Sequence, residues 1–364
     1  MTDSRLSVQR ARRVVVKVGS NALADHPDVP AELARQIGAC VHAGYSMTLV
    51  TSGAIAVGYP RLGYRTRPRE MARLQAAAAA GQIVLMRRYD EAFAAVGVTA
   101  AQVLLTHSDL SDRERANNAR HSLAALLDAG AVPIINENDT VSTDEIRFGD
   151  NDQLAAMVAP LVGAELLILL TNVDGVLDAR RRRISVLTDA AKVAKIETGD
   201  VPLGTGGMES KLDAARKAAR SGASVVIAAA RQPDTITRIL KGQDIGTLVP
   251  VSPRALRARK HWIAYTLRPR GTIVVDNGAV RALSGGRSSL LPVGVIGVRG
   301  DFRPGDAVSL VCADGTEIGR GLARLGALDV ARAAGKRAAA LEMALGIAAK
   351  DLVVVHKDDL VTEL

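Results

Sequence analysis

Residues 134–153 read Ile-Ile-Asn-Glu-Asn-Asp-Thr-Val-Ser-Thr-Asp-Glu-Ile-Arg-Phe-Gly-Asp-Asn-Asp-Gln. The apolar run 131–135, interrupted only by Pro133, ends here in side chains that bind cations and amines: Asn136, Glu137, Asn138 and Asp139, then Asp150, Asn151 and Asp152. A strand that delivers so many carboxylates and amides to one place implies a ligand site at its carboxyl end. A solvated acidic loop is the competing account, because most charge clusters are that. The length of the segment, and the Ile146 and Phe148 set among its charges, favour a site.

Outward from this stretch, strands alternate with helices. Residues 13–18 read as a buried strand ending in Lys17-Val18-Gly19-Ser20-Asn21. Residues 30–44, with an early Pro, apolar positions Leu33, Ile37, Cys40 and Val41 and a closing Gly, read as a helix. The strand 46–50 runs into Thr51-Ser52-Gly53-Ala54-Ile55. An Ala-rich helix over 69–95, a strand at 101–106 and a helix at 112–129 follow. Beyond the acidic segment come a helix at 153–162 and a strand at 165–170 that ends in Thr171-Asn172-Val173-Asp174-Gly175. A helix at 208–221, a strand at 223–228 and a helix at 234–240 complete the series. The pattern predicts an α/β fold, a mostly parallel sheet sandwiched by helices with ligands at the strand carboxyl ends.

The texture changes after about residue 252. Short β-like runs at 271–275, 293–298, 307–311, 318–325 and 352–356, with one helix at 338–345, predict a small β-rich domain, a barrel or a sandwich. The expected division is a catalytic domain over 1–255 with 1–12 loose, a linker over 256–269 and the β-rich domain over 270–364. A chain of 364 residues suits two cores better than one.

Aromatics make up only 2% of the chain, so its cores are expected to be built from Ala, Val, Leu and Ile. Cys40 and Cys312 stand far apart and in no metal-ligand spacing, which argues against a disulfide framework or a zinc site and fits a reducing cytoplasm. No apolar run reads as a secretory leader or a bilayer span, so no membrane association is expected. The net charge of +9 suits an anionic partner, either a phosphorylated small molecule or a nucleic acid.

Leu203-Gly204-Thr205-Gly206-Gly207-Met208-Glu209-Ser210-Lys211 opens a helix. Glycines there let the backbone approach a ligand, and free N–H groups of the first turn favour an anion. The spacing is neither that of a Walker loop nor of the dinucleotide fingerprint, and a Gly-rich helix start alone is a weak signal. Lys17, in an apolar strand, either snorkels from the strand end or is held by an anion. Thr51 to Ala54 supply a further turn of small residues suited to a carboxylate. Two lysines, Gly-rich anion cradles and an acidic loop together make the inventory that phosphoryl transfer needs, because catalysis there is mostly positioning and charge stabilisation.

Val16-Lys17-Val18-Gly19-Ser20, Thr51-Ser52-Gly53-Ala54-Ile55-Ala56, Ile135-Asn136-Glu137-Asn138-Asp139, Phe148-Gly149-Asp150-Asn151-Asp152 and the run from Gly204 to Lys211 closely resemble, in that order, the glutamate 5-kinase branch of the amino-acid-kinase family. Val275-Asp276-Asn277-Gly278-Ala279, Ser288-Ser289-Leu290-Leu291-Pro292 and Gly300-Asp301-Phe302 resemble the PUA domain that many bacterial members carry. The resemblance implies ATP- and Mg²⁺-dependent phosphorylation of the side-chain carboxylate of L-glutamate, the opening step of proline biosynthesis. It implies that Lys17 and Lys211 act on the transition state and that Asp152 orients them. Ser52, Asp139 and Asn151 would bind glutamate, with Asn136 and Asp150 close by. Lys17, Thr171, Asn172, Thr205, Gly206, Gly207, Met208, Glu209, Ser210 and Lys211 would bind ATP; no metal ligand is assigned. It further implies feedback by L-proline, a homo-oligomer (dimer or tetramer) and transient contact with glutamyl-phosphate reductase.

The chain departs from the family pattern at Asn172, often Asp, at Leu177, often aromatic, at Leu74, where Lys is common, and at the arginines 180–183. Two rivals are a different carboxylate or carbamate kinase of the same fold, and an RNA-binding protein working through the PUA domain. The second is disfavoured because Trp262 and Tyr265 stand at the edge of that domain and Phe302 is its one aromatic beyond them, too few for stacking bases.

Overall fold

The computed structural model describes residues 5–20, 28–142, 151–178, 180–188, 207–253, 255–286, 288–336 and 353–362. Two compact units divide the chain, Met1–Ala255 and Leu256–Leu364. No helix among the described residues is long and apolar enough to cross a membrane.

In the first unit, β1 (Arg13–Val18), β2 (Ser46–Val50), β3 (Ala100–Leu105), β4 (Val132–Glu137), β5 (Leu166–Thr171), β6 (Ser224–Ala229) and β7 (Thr247–Val249) form one sheet in the order β3-β4-β2-β1-β5-β6-β7. All neighbours pair in parallel except β6 and β7. The three residues of β7 fall below the length that a sequence pattern registers, and that antiparallel edge was not expected.

Nearly continuous apolar strands such as Val14–Val15–Val16 and Leu166 to Leu170 are what a sheet covered on both faces requires. The pleat assigns each side chain to a face. Val14, Val16 and Val18 belong to one core, with residues of α2 (Val29–His42), α4 (Met71–Ala94) and α9 (Thr235–Leu240). Val15 belongs to the other, with residues of α7 (Asn151–Leu161) and α8 (Met208–Ser221). Lys17 shares its parity with Val15 and therefore faces α7 and α8. In register it lies opposite Val50 of β2 and Leu169 of β5, where the strand order turns back on itself. Open α/β sheets bind ligands at that position.

Two expectations are corrected in this unit. Residues 5–12 are not loose: α1 (Leu6–Arg10) is pinned by Arg5, 3% exposed, whose guanidinium donates to the carbonyls of Gln243 and Ile245 and, at 2.7 Å, to the Asp244 carboxylate. A fork of five N–H donors satisfies several acceptors at once, a role that nothing in a polar dodecapeptide announces. The second correction is that α7 starts at Asn151 and not near residue 153, which puts Asn151 and Asp152 on a rigid helix. A carboxylate is favoured in a first helical turn by the free N–H groups there.

The second unit holds a five-stranded sheet in the order β12-β11-β10-β8-β9, from β8 (Gly271–Val275), β9 (Val295–Gly300), β10 (Ala307–Val311), β11 (Glu317–Ala323) and β12 (Val355–Thr362). β8 and β10 pair in parallel and the other neighbours antiparallel. Residues 258–266, inside the expected linker, are helical, and Ile263 and Ala264 are buried with Val361 of β12. The helix expected at 338–345 lies outside the described residues.

Candidate active site

At the carboxyl end of β1, Lys17 Nζ lies 2.7 Å from Asp152 Oδ1, and Lys211 Nζ lies 2.9 Å from Asp152 Oδ2. The three side chains come from a strand and two helices and are almost wholly buried. Burial by itself pushes the Asp152 carboxyl up, but the two ammonium groups outweigh it and hold the group below its ordinary value. The carboxylate is therefore fixed as an anion between two cations. The triad carries a net positive charge.

The next turn of polar bonds fixes the distance between the two helices. Gln153 Nε2 donates to Asp213 Oδ2 at 3.0 Å and to the Ser210 carbonyl at 3.3 Å, while Lys217 Nζ donates to Gln153 Oε1 at 2.7 Å. α7 and α8 are thus tied together one residue away from Asp152.

A pocket beside the carboxyl ends of β2 and β4 is lined by Ser20, Ser52, Gly53, Tyr59, Arg67, Asn136, Glu137, Asp139 and Asn151, among others. Gly53 opens α3 (Ala54–Gly58) at φ 99°, a left-handed conformation that a residue with a Cβ adopts only under strain. Asn151 Nδ2 reaches Ser52 Oγ at 2.9 Å, Asn136 Oδ1 at 2.9 Å and the Thr51 carbonyl at 2.5 Å. Behind them, the Thr51 and Tyr89 hydroxyls share a buried bond of 2.9 Å. Burial pushes Asp139 up to about 6, although Arg67 pulls the other way. One pocket therefore presents an anion, a cation and several neutral amides and hydroxyls.

The expected residues fall into two groups that the fold brings together: Lys17, Asp152 and Lys211 as one ion cluster, and Ser52, Asn136, Asp139 and Asn151 around one pocket. Gly207 precedes α8, and Met208, Glu209 and Ser210 form its first turn with Lys211. Met208 packs against the apolar core and Glu209 points to solvent, so this turn offers an anion its backbone N–H groups beside the Lys211 ammonium. Thr171 and Asn172 stand at the carboxyl end of β5, with the Thr171 hydroxyl 3.3 Å from Asn172 Oδ1. Asp150, Thr205 and Gly206 lie outside the described residues. Arg67 and Tyr59 were missed: both follow the Gly53 turn in chain segments with no periodic pattern. Gln153 was quoted at the end of the acidic stretch but given no role.

Comparison with known proteins identifies the family. The amino acid kinase family matches residues 12–229 and the PUA domain matches residues 271–345. A glutamate 5-kinase of Chromohalobacter salexigens is 45% identical over 370 residues, covering 98% of each chain. Glutamate 5-kinases of Pseudomonas putida and Pseudomonas fluorescens are each 46% identical, covering 98% of this chain and 99% of theirs. With more than half its length matched by the family and nearly all of it by these relatives, the chain belongs to the amino acid kinase family, among its glutamate 5-kinases, and carries a C-terminal PUA domain.

Proposed function

We propose that this protein transfers the γ-phosphoryl group of ATP to the side-chain carboxylate of L-glutamate, yielding glutamyl 5-phosphate and ADP, as the first step of proline biosynthesis. The observation that carries this reading is the buried Asp152 carboxylate held between Lys17 and Lys211. A hydroxyl acceptor needs a base to take its proton, and a carboxylate held below its ordinary pKa by two ammonium groups is a poor one. A carboxylate acceptor is already ionised near neutrality and needs no base. It needs instead that two mutually repelling anions be brought together, which two fixed cations favour. At 4 Å and an effective dielectric near 20, each lysine contributes roughly 4 kcal/mol of gross attraction to a unit negative charge.

In this reading an acceptor oxygen attacks Pγ as the bond from Pγ to the departing ADP oxygen breaks. Lys17 and Lys211 hold the charge that accumulates on the equatorial oxygens, and Asp152 keeps both ammonium groups aimed there. The first-turn N–H groups of α8 and the β5 end at Thr171 and Asn172 receive the nucleotide. Asp139 takes the α-ammonium of glutamate, and Arg67 with the Ser52 turn takes its α-carboxylate. Mg²⁺, which neutralises phosphate charge when bound, is held in such enzymes through nucleotide phosphates and one or two carboxylates. Both oxygens of Asp152 are engaged by lysines, so Glu137, which lines the acceptor pocket, and the phosphates themselves are better suited to it.

L-Proline, which shares the α-amino and α-carboxylate groups of glutamate, is expected to compete with glutamate and not with ATP. A homo-oligomer and a cytoplasmic location accompany this reading. The test is ADP release with L-glutamate, N-acetylglutamate, aspartate and carbamate offered separately. Turnover confined to glutamate supports the reading, and preference for any other acceptor overturns it.

A further inference from the structure

The hydrogen bonds around the acceptor pocket run in one direction. The Thr51 carbonyl can only accept, so the bond it receives fixes the Asn151 amide with Nδ2 facing it. The same Nδ2 donates to Asn136 Oδ1 at 2.9 Å, which turns Asn136 Nδ2 away from the pocket and onto Gln82 Oε1 at 2.8 Å. Gln82 Nε2 continues outward to Gln102 Oε1 at 3.3 Å. Four side-chain amides thus form a relay in which every donor points outward from α7 to Gln102 of β3, and such chains strengthen one another. Ser52 hangs from the inner end. The Asn151 amide has two N–H groups; one serves the Thr51 carbonyl and the other is shared between Asn136 Oδ1 and Ser52 Oγ, each 2.9 Å away, and because an amide nitrogen cannot accept, the Ser52 proton is donated elsewhere.

Ser52 lines the pocket and is 8% exposed. A hydroxyl that must donate into a pocket selects an acceptor atom there, and a carboxylate oxygen is the strongest available. Gln82, like Gln102, touches neither pocket nor ion cluster, yet it supplies the acceptor that Asn136 Nδ2 requires. Asn136 is only 2% exposed, so without that acceptor its amide donor is orphaned. Whichever way the orphan is relieved, by rotating the amide or by turning the side chain inward, Asn151 loses an oxygen partner and the Ser52 proton loses its fixed direction.

We infer that Gln82 is a positioning residue that sets the donor polarity of Ser52 towards a substrate carboxylate, acting through Asn136 and Asn151. The inference rests on the glutamate kinase reading above. Gln82 lies on the half-buried face of α4, where an apolar substitution is tolerated by the helix, so the effect is expected in acceptor binding and not in folding.

The test is a double-mutant cycle on the full chain with Ser52→Ala and Gln82→Leu, reading KM for glutamate, KM for ATP, kcat and melting temperature. Turnover of glutamate by the parent is established first; its absence sinks the kinase reading itself, and with it the premise of the relay. Given that turnover, Gln82→Leu should raise the glutamate KM about fivefold, the weight of one neutral hydrogen bond, with the ATP KM and kcat within twofold. In the Ser52→Ala background the same substitution should add less than twofold, because the hydroxyl it aims is gone. Gln82→Glu, which keeps the acceptor, should recover most of the lost affinity. Fold-changes that multiply in the double variant would overturn the inference, as would a Gln82→Glu variant as impaired as Gln82→Leu or a melting temperature that falls while the KM stays put.

Discussion

Asp139 does not titrate as a surface carboxylate, because burial carries it up to about 6 against the pull of Arg67. Between the ordinary carboxylate value of about 3.9 and that figure, the folded protein holds a proton that the unfolded chain has lost. The contribution of this residue to stability therefore falls as pH rises through that window, and at pH 7 the empty pocket keeps a charge that costs about 1 kcal/mol, discounted for partial exposure. Asp139→Asn should raise the melting temperature of the ligand-free protein by about 2–4 °C while raising the glutamate KM roughly ten- to a hundredfold, the weight of a charge-assisted hydrogen bond. In the parent, the glutamate KM should climb as pH drops below 6, and in the variant it should be flat. A KM unchanged by the substitution, or a variant less stable than the parent, would leave Asp139 as a turn-forming residue only. Lys211 belongs to the other kind of site residue, one that acts in the transition state. Lys211→Ala should lower kcat by about 10²–10³ with a far smaller change in KM, and a variant that turns over normally would remove Lys211 from the chemistry.

At the scale of elements, the crossing of α3 and α4 decides where Ser52 sits. A Cβ built on Gly81 would lie 1.8 Å from the Ala54 carbonyl oxygen, and one on Gly58 would lie 1.8 Å from that of Ala77. The two backbones touch, with Ala54 and Gly58 on one side and Ala77, Ala78 and Gly81 on the other. Gly81→Ala must push α3 away, costing about 1–3 kcal/mol, and should drag the Gly53 turn with it, so that KM for glutamate rises while KM for ATP holds. A melting temperature and KM both like the parent's would show that the crossing has room. Only part of this was legible in the sequence. The alternation of apolar strands with Gly-ended helices identified the parallel sheet, and strand ends rich in Gly, Ser and Asn located the site, because backbone conformation demands those residues there. The Ala-rich composition of α4 announced a helix but not its partner, since small residues permit a close crossing without specifying one. Gln82 and Tyr89 were equally silent: a polar side chain on a helix reads as surface until the fold supplies the acceptor. Asn151 looked like the end of a loop because the first turn of α7, Asn151-Asp152-Gln153, is polar and carries no apolar period.

Across the whole molecule, each unit has an apolar core of its own, one pair about the seven-stranded sheet and another centred on Ile273, Val308, Leu310 and Val355. No residue proposed for the kinase chemistry lies beyond Lys211, so the first unit should fold and work alone. Where the chain is cut decides the outcome. Residues 256–269 look like a linker in sequence, but Ile263, Ala264, Trp262 and Tyr265 pack with Val361 and Leu322 of the second sheet. A fragment ending at residue 255 leaves that helical segment with its own unit. A fragment ending at 269 strands it, exposing a tryptophan, an isoleucine and a tyrosine with nothing to cover them. The shorter fragment should therefore be monodisperse on gel filtration, melt in one transition and keep kcat for glutamate within about threefold. The longer should aggregate, or bind a hydrophobic dye, at the same concentration. Replacing Trp262 and Ile263 by Ser in the longer fragment should restore its behaviour, which separates the exposed helix from any effect of length. Equal behaviour of the two fragments would return 256–269 to the status of a linker, and loss of activity in both would mean that the kinase unit depends on its companion.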